Sequence, residues 1–356
     1  QIEYISKLPG ENPNPVFRVG KNGQVLYANS AATKNLKDWN LEVGNILPPE
    51  FDVLVTDSMQ SGESKTLEIN HDGRILNFEL MPVAESGYIN IYGKDITERK
   101  LAEKQLEKIT AEKNNMENEV KMATLVQEGF LPEAPPKIPG YQFSAKTIPA
   151  KFVGGDFFDF ILLDEKTLGM VLGDVSGKGV SAALYMAKLM SDFRYVSFIN
   201  SDPSAVISQI NYILSNRTRR GMFATAVFLL LDTKSMKLKL CNAGHHSMII
   251  LRNQKQFHEV GRAGGIPLGI KENAPYSQEE VQLQSGDIAV LYSDGALEPV
   301  NKQKEQYGKE RLKTALFESK NDVAEKILNN LELSIDTFTD NSTPFDDMTF
   351  LVFKVD

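Results

Sequence analysis

Short runs of alternating apolar and polar residues, separated by turn residues, fill most of the first hundred positions of the chain. They predict strands at 16–19, 24–27, 64–70, 74–82 and 88–94. Asn22-Gly23 separates the first two runs and His71-Asp72-Gly73 the third and fourth, which indicates two tight hairpins. We expect this region to form a small antiparallel sheet with helical insertions.

The stretch 97–131 has the composition of one long helix, because it is rich in Glu, Lys, Gln, Asn and Met and lacks proline. With Leu106 at heptad position a, Val120 falls on the same seam, which Lys113 and Gln127 interrupt. The d positions hold Ala102, Ile109, Met116, Ala123 and Phe130. This pattern favours a parallel coiled-coil dimer, and the alternative is a single amphipathic helix packed on its own domain.

A proline-rich stretch at 132–140 ends the helix, and the pattern beyond it changes to many strands with a few helices. Strands are predicted at 160–163, 168–175, 225–232, 236–242, 247–251, 281–284, 288–293 and 348–355. Helices are predicted at 179–198, 203–219, 309–317 and 322–338. Because strands follow one another directly and helices come in pairs, antiparallel sheets with outer helices are favoured over a βαβ repeat.

The composition is typical of a soluble protein with two domains. The chain has 356 residues, of which 42% are apolar and 24% charged, a length that accommodates about two domains. No apolar run approaches the ~20 residues of a membrane helix, and the first residues lack the pattern of a signal peptide. The single cysteine, Cys241, excludes an intrachain disulfide and a thiolate-rich metal site. We therefore expect a cytoplasmic protein without membrane association.

The charge balance argues against one class of partner. The net charge of −8 arises from 47 acidic and 39 basic residues, and it opposes binding along a phosphate backbone. Nucleic acid is therefore not expected as a partner, whereas an acidic protein that gathers divalent cations is compatible with this balance.

Acidic residues stand where apolar strands of the second half meet loops: Asp156, Asp174, Asp294 and the pair Asp346-Asp347. Several negative charges gathered at one edge of a sheet are costly unless cations neutralise them. An all-oxygen cluster suits Mg²⁺ or Mn²⁺ rather than zinc, and neighbouring glycines would let the backbone approach the ions. Two such ions ~3.5–4 Å apart activate a bridging water for in-line displacement at phosphorus, so phosphomonoester hydrolysis is the predicted reaction class.

Seven short motifs resemble, in order and spacing, the SpoIIE-type branch of the metal-dependent PPM phosphatases over roughly residues 120–356. They are Phe152-Val153-Gly154-Gly155-Asp156-Phe157-Phe158-Asp159, Gly173-Asp174-Val175-Ser176-Gly177-Lys178-Gly179, Met222-Phe223-Ala224-Thr225, Asn242-Ala243-Gly244-His245, Pro267-Leu268-Gly269, Ser293-Asp294-Gly295 and Asp346-Asp347-Met348-Thr349. Any one motif alone is weak, but seven in register are specific together. The resemblance implies a serine/threonine protein phosphatase of the α/β (α+β) class, an αββα sandwich of two antiparallel sheets with metal ions at one end.

The resemblance also implies the ligands. Asp174 would bridge two Mn²⁺ or Mg²⁺ ions, with the Val175 carbonyl beside it. The other implied metal ligands are Asp156, Asp294, Asp346 and, with a looser match to the motif, Asp347. The carboxylates of Asp156, Asp174, Asp294 and Asp346 are thereby also the predicted catalytic residues.

Several residues beside these ligands have competing interpretations. Lys178 and Ser176 are candidates for catalysis, but a turn-and-cap role is favoured. His245 is interpreted as structural, since the family mechanism needs no imidazole nucleophile. The chain departs from the family pattern at His246-Ser247-Met248 and at 296–299, so we expect an altered substrate preference. No arginine occupies an identifiable phosphate-binding position, which leaves recognition of the phosphate largely to the metals.

Residues 12–100 resemble a PAS sensory domain, through Asn14-Pro15-Val16-Phe17, Tyr27-Ala28-Asn29 and the ending Asp95-Ile96-Thr97. The resemblance implies a PAS domain at 1–96, a helical signalling linker at 97–131 and a phosphatase domain at 132–356, with a homodimer formed through the PAS domain and the linker. The PAS ligand is unknown. No cysteine is present for a flavin adduct, and His71 in its turn is a poor haem ligand, so a dimerisation domain without a cofactor is favoured.

Two other classes of function compete with the phosphatase interpretation. Gly154-Gly155-Asp156 resembles part of the signature of diguanylate cyclases, but Phe157-Phe158 breaks that signature and the downstream motifs would be unexplained. A P-loop is excluded, because three residues rather than four separate Gly173 from Gly177. A catalytically silent, phosphatase-like binding module is the non-enzymatic alternative, which the complete set of carboxylates argues against.

The resemblance finally implies a substrate and a switch. The expected substrate is a small phosphorylated protein of the anti-anti-sigma (STAS) type, in a stress or sigma-factor partner-switching pathway. We expect the linker to transmit the state of the PAS domain by changing how residues 122–131 pack on the catalytic core, so that a metal site forms or collapses.

Overall fold

The computed structural model describes residues 8–150, 152–217, 221–262, 264–340 and 346–356. The chain divides into two compact units, Gln1–Asn115 and Met116–Asp356. Among the described residues, no helix combines the length and the apolar character needed to cross a bilayer.

The first unit contains one antiparallel sheet with short helices. Its strands, β1 (Val16–Gly20), β2 (Val25–Ala28), β3 (Lys65–His71), β4 (Arg74–Val83) and β5 (Tyr88–Asp95), are arranged in the order β2-β1-β5-β4-β3. The helices are α1 (Leu8–Glu11), α2 (Ser30–Asn35) and α3 (Asp52–Ser61). The predicted strands of this region are confirmed, with no end displaced by more than one residue.

Turn chemistry and aromatic packing account for this sheet. Asp72 and Gly73 have φ values of +49° and +73°, a backbone region that glycine and small polar residues adopt most easily, and they join β3 to β4. The core is built around the buried rings of Phe17, Phe51 and Phe78, whose centroids lie 5.3–6.0 Å apart.

The predicted long helix is α4 (Thr97–Glu128). It ends three residues before the predicted boundary, because Phe130 and Leu131 donate backbone hydrogen bonds to the carbonyls of Gln127 and Glu128, in a tighter turn that follows Gly129. Within this chain the seam residues Leu106, Ile109 and Met116 are all more than half exposed. The coiled-coil dimer stays a prediction.

The second unit contains two antiparallel sheets. One has the order β13-β10-β9-β8-β7, and the other β12-β11-β14-β15-β6. The strands are β6 (Tyr141–Ile148), β7 (Phe157–Leu162), β8 (Thr167–Val175), β9 (Ala224–Asp232), β10 (Lys237–Ala243), β11 (Met248–Arg252), β12 (Gln256–Val260), β13 (Gln278–Gln282), β14 (Ile288–Tyr292) and β15 (Met348–Val355). The helices are α5 (Val180–Ile199), α6 (Pro203–Arg217), α7 (Gly308–Glu318) and α8 (Ala324–Thr339).

Side-chain alternation along the strands produces four layers. In β9, Val227, Leu229 and Leu231 point into the core between the two sheets, whereas Phe228 and Leu230 face α5 and α6. On the other sheet, a separate core joins β11, β14 and β15 to α7 and α8. The predicted αββα sandwich of two antiparallel sheets is confirmed.

Two strands were absent from the sequence prediction, and both lie at sheet edges. β6 pairs only with β15, and β12 only with β11. Several ends also differ: the strand expected at 160–163 begins at Phe157, and the one expected at 281–284 spans Gln278–Gln282. The helix expected at 203–219 is described as far as Arg217, and residues 218–219 lie outside the described part of the chain.

Candidate active site

Strand pairing brings Asp156 and Asp174 together in the first sheet of the second unit. Asp156 directly precedes β7, and Asp174 is the penultimate residue of β8. The two strands run antiparallel, with Phe157 opposite Gly173, so the start of β7 meets the end of β8. Both carboxylates therefore lie at the same end of this sheet.

The second sheet supplies Asp294 and Asp346 by the same geometry. Asp294 follows β14 and Asp346 precedes β15, and these antiparallel neighbours align Tyr292 with Phe350. Since the two sheets stack with these ends together, the structure brings all four predicted catalytic carboxylates to one region.

Glycines allow this approach of the backbone to the carboxylates. A Cβ on Gly155 would lie 2.5 Å from the Val175 carbonyl oxygen and 2.9 Å from Asp174 Oδ1. A Cβ on Gly154 would lie 2.0 Å from Asp347 Oδ2. Only glycine fits at either position, and the Val175 carbonyl consequently lies beside the Asp174 carboxylate, as the motif implied.

Asp347 contacts the backbone with both of its carboxylate oxygens. Oδ1 accepts a hydrogen bond from Ala150 N at 2.9 Å, and Oδ2 accepts one from Gly155 N at 3.0 Å. Ser293 adds a second tie, because its Oγ accepts from Thr349 N at 2.9 Å and donates to Asp347 O at 3.3 Å. These contacts fix the ends of β14 and β15 to the loop before β7.

The electrostatics of the cluster are those of buried carboxylates that repel one another. Burial raises the pKa of Asp156 well above its ordinary value, and the charge of Asp174 raises it further. Burial likewise raises the pKa of Asp174 to about 7, with added repulsion from Asp294 and Asp346. Each shift expresses the free energy needed to keep a buried carboxylate ionised among others.

These residues fit divalent hard cations. Asp156 Oδ2 is buried and has no hydrogen-bond donor among the described residues, so a lone pair remains available in an all-oxygen environment. Bound ions would remove the repulsion that raises the pKa of Asp174. Within the described residues, the one group of three or more acidic, histidine or cysteine side chains whose ligand atoms all lie within 4.8 Å of one another is Asp38, His71 and Asp72, a largely exposed cluster of the first unit. Among the described residues, the aspartates of the second unit do not form such a group.

A cleft of about 380 Å³ opens beside Asp174 and Asp294, and two histidines line it. His245 Nδ1 lies 2.7 Å from Thr225 Oγ1. Burial, followed by the neighbouring His246, lowers the pKa of His245 to about 3, so this ring is neutral at physiological pH, which supports its structural interpretation. His246 stacks on Tyr292, with ring centroids 5.6 Å apart.

Ser176 and Lys178 differ in what they contact. Ser176 Oγ accepts a hydrogen bond from Phe223 N at 3.0 Å, which supports its predicted role in a turn. Lys178 Nζ lies 3.0 Å from Asp346 Oδ2, inside the acidic cluster. The N-cap of α5 is Gly179, and no side chain caps it, so the capping part of the Lys178 prediction is wrong.

The end of α4 contacts the same region within the second unit. The side-chain amide of Gln127 hydrogen bonds to the backbone of Gly154, and Thr124 Oγ1 donates to Phe152 O at 2.6 Å. Arg194 of α5 donates through Nη2 to Phe130 O at 2.8 Å and through Nε to the buried Asp159 at 2.6 Å. Sequence reasoning missed the role of Gln127, although a polar residue that interrupts an apolar seam was the available signal.

The fold is shared with solved domains of two bacterial proteins. The SiaA-PP2C domain of Pseudomonas aeruginosa aligns with a TM-score of 0.61 at 19% identity, over 69% of this chain and 99% of that one. The RsbU and RsbW domains of a Mycobacterium tuberculosis protein align with a TM-score of 0.53 at 24% identity, over 62% of this chain and 61% of that one. The second unit therefore has the PP2C architecture.

The sequence comparison identifies the family. The model of the Stage II sporulation protein E (SpoIIE) family matches residues 164–356, more than half of the chain. The chain belongs to the SpoIIE family. The matched segment contains Asp174, Asp294 and Asp346, and Asp156 precedes it.

Curated relatives share this similarity over part of their length. Protein IcfG of Synechocystis sp. is 28% identical over 263 residues, which are 65% of this chain and 41% of that protein. Phosphoserine phosphatase RsbU of Bacillus subtilis is 27% identical over 184 residues, which are 51% of this chain and 54% of that protein. The chain thus spans about half or less of the length of these relatives.

Proposed function

We propose that the second unit is a metal-dependent protein phosphatase that hydrolyses phosphoserine or phosphothreonine. The observation that carries this proposal is the convergence of Asp156, Asp174, Asp294 and Asp346 from two sheets, with raised pKa values on the two buried members. Membership of the SpoIIE family and similarity to a protein named phosphoserine phosphatase support the same reaction.

The chain's own residues would hold the ions as follows. Asp174 and the adjacent Val175 carbonyl would provide ligands, and Asp156, Asp294 and Asp346 would provide the others. Both oxygens of Asp347 accept backbone hydrogen bonds. We therefore infer that the main role of Asp347 is to orient the loop that contains Gly155, and that metal ligation is its secondary role. When bound, a pair of Mn²⁺ or Mg²⁺ ions supplies an activated water and neutralises charge on the phosphoryl group.

The similarity to relatives and the fold of the first unit support a proposal for the physiological substrate and the regulation. We place a phosphorylated anti-anti-sigma (STAS-type) protein in the cleft beside Asp174, in a cytoplasmic partner-switching pathway, on the similarity to RsbU and to a structure with RsbU and RsbW domains. The five-stranded antiparallel sheet with helices between β2 and β3 supports a PAS domain at 1–96, followed by a linker at 97–131 and the phosphatase at 132–356. The exposed apolar seam of α4 supports a homodimer.

Hydrolysis of p-nitrophenyl phosphate with and without Mn²⁺ tests the activity, with Asp174→Asn as the test variant and Asp232→Asn as its control. Asp232 ends β9 opposite Thr167, at the far end of the same sheet. Asp232→Asn therefore removes the same charge as Asp174→Asn, but at a position away from the site. We expect metal-dependent release that Asp174→Asn abolishes and Asp232→Asn retains. The binding-module alternative would be supported instead if the protein bound no Mn²⁺ and hydrolysed neither p-nitrophenyl phosphate nor a phosphorylated STAS protein.

Deletion of residues 1–96 tests the regulation. We expect a change in turnover or in Mn²⁺ affinity, because the linker would no longer receive the state of the first unit. Turnover and Mn²⁺ affinity equal to those of the full chain would overturn the regulatory part of the proposal and leave the hydrolytic part intact.

A further inference from the structure

Lys178 lies in a loop that lets its side chain reach the acidic cluster. The loop joins β8 to α5, and the glycines on either side of Lys178 have φ values of +100° and +81°. Its ammonium lies 3.0 Å from Asp346 Oδ2, and its side chain is 45% exposed. A half-exposed lysine has a mobile four-carbon stem, so the ammonium has other positions within reach.

The ammonium lies beside an oxygen that a metal ion would bind. Mg²⁺ lies about 2.0–2.1 Å from its oxygen ligands. An ammonium 3.0 Å from the same oxygen keeps a second positive charge close to that ion, and two cations at such range repel in a half-buried site. Lys178 and a metal ion therefore compete for Asp346.

The cleft offers a favourable destination for a displaced ammonium. Ser176 and Gly177, which precede Lys178, line the cleft together with Asp174 and Asp294. A phosphate bound in this cleft would present oxygens that the ions do not hold, and a lysine ammonium binds such oxygens as a point charge. The described residues that line the cleft include no arginine or lysine, and Lys178 directly follows two of them, Ser176 and Gly177, in the chain.

We propose that Lys178 neutralises Asp346 before metal binding and then binds the phosphoryl group of the substrate once metal has displaced it. This inference rests on the proposed phosphatase function. In this inference Lys178 weakens metal binding and strengthens phosphate binding. A residue that only stabilised the turn would not produce these two opposite effects.

The test uses the full chain with Lys178→Gln, which removes the charge, and Lys178→Arg, which restores it. The control is Lys188→Gln, because Lys188 lies on the adjoining helix α5 and pairs with Asp192, not with a site residue. Mn²⁺ affinity is measured by calorimetry without substrate. Inhibition by inorganic phosphate and the separate kcat and KM values for p-nitrophenyl phosphate are measured with metal at saturation.

We expect Lys178→Gln to bind Mn²⁺ about tenfold more tightly and inorganic phosphate about tenfold more weakly, with a raised KM. Lys178→Arg should restore phosphate inhibition, and Lys188→Gln should match the wild type in every value. Weaker Mn²⁺ binding by Lys178→Gln together with a lowered thermal midpoint would overturn the inference in favour of a turn role. Unchanged phosphate inhibition would also overturn it.

The controls separate this inference from the proposed function. If the wild type binds Mn²⁺ and hydrolyses the substrate while Lys178→Gln equals it, only the role of Lys178 fails. If the wild type neither binds Mn²⁺ nor hydrolyses any phosphomonoester, the proposed function fails, and the inference fails with it.

Discussion

The side-chain amide of Gln127 makes two hydrogen bonds with the backbone of Gly154. Nε2 donates to the Gly154 carbonyl at 2.7 Å, and Oε1 accepts from the Gly154 N–H at 3.2 Å. Gly154 is two residues from Asp156, so the last turn of α4 fixes the loop that delivers a predicted metal ligand.

Replacement of Gln127 by leucine should weaken both folding and metal binding. Leucine retains the volume but leaves the partly buried N–H and carbonyl of Gly154 without these partners, at a cost of about 2 kcal/mol. We expect a lower urea midpoint and a several-fold weaker Mn²⁺ affinity. Lys121→Gln, at an exposed position on the same helix, is the control. Equal Mn²⁺ affinity in Gln127→Leu and the wild type would show that this contact does not support the site.

Gly155→Ala should abolish metal binding. The new methyl would lie 2.5 Å from the Val175 carbonyl oxygen, so the loop must move away from Asp174. A displacement of about 1 Å in such a site lowers activity by roughly 100-fold. Gly169→Ala is the matched control on β8, since its nearest neighbours lie at 3.4 Å. Activity and calorimetric Mn²⁺ binding measure the effect, and near-normal values for Gly155→Ala would exclude the proposed geometry.

Metal binding should be coupled to protons through Asp174. Its pKa is about 7 in the metal-free protein, against about 3.9 in an unfolded chain. Ionisation of Asp174 therefore destabilises the fold, with no penalty below about pH 4 and the full penalty above about pH 7. Because metal requires the ionised form, the apparent Mn²⁺ affinity should fall about tenfold from pH 8 to pH 6.

Two measurements check this coupling. The rise in thermal midpoint on addition of Mn²⁺ should shrink as the pH falls from 8 to 6, and calorimetry in buffers of different ionisation enthalpy should detect proton release. Asp232→Asn should behave as the wild type. A Mn²⁺ affinity that is constant across this pH range would contradict the raised pKa of Asp174.

Glu259 should contribute stability that acid removes. It lies on β12, with Lys309 and Lys313 of α7 each 3.0 Å away. Burial alone would raise the pKa of Glu259, but the two lysines outweigh it and hold the pKa at about 2. Since this pKa lies below the ordinary value, the stabilisation is complete above about pH 4.5 and is lost as the pH falls toward 2.

Glu259→Gln should therefore lower the free energy of unfolding at pH 7 by about 1–2 kcal/mol. At pH 3 the difference in unfolding free energy between the variant and the wild type should be smaller. Urea midpoints of both proteins at the two pH values measure this difference. Glu325→Gln, at an exposed position on α8, is the control. A gap that is equal at pH 7 and pH 3 would show that the ion pairs do not stabilise the fold.

The strand predictions were accurate for strands that pair with a neighbouring strand on both sides and carry a long apolar pattern. β8 and β9 lie inside their sheet and read as long apolar runs between turn residues, and both were predicted within a residue of their ends. β6 and β12 were missed because an edge strand pairs on one side only and tolerates charged and polar residues. In β12 only Val260 is fully buried.

The four carboxylates were recognisable because each stands at the end of a strand, and Asp156, Asp174 and Asp294 also stand beside a glycine, local features that motifs record. Sequence by itself thus determined most of the strands, the long helix and the candidate ligands, since these depend on residues near one another in the chain, and the resemblance carried by the motifs implied the αββα class.

Only the tertiary structure decided which groups meet. The contacts of Gln127 with Gly154 and of Lys178 with Asp346 join residues that are distant in sequence or on different sheets. Sheet register and stacking determine such contacts, and those depend on the packing of the whole domain. The pKa of Asp174 depends in the same way on burial and on the charges of Asp294 and Asp346, which only the stacked sheets bring near.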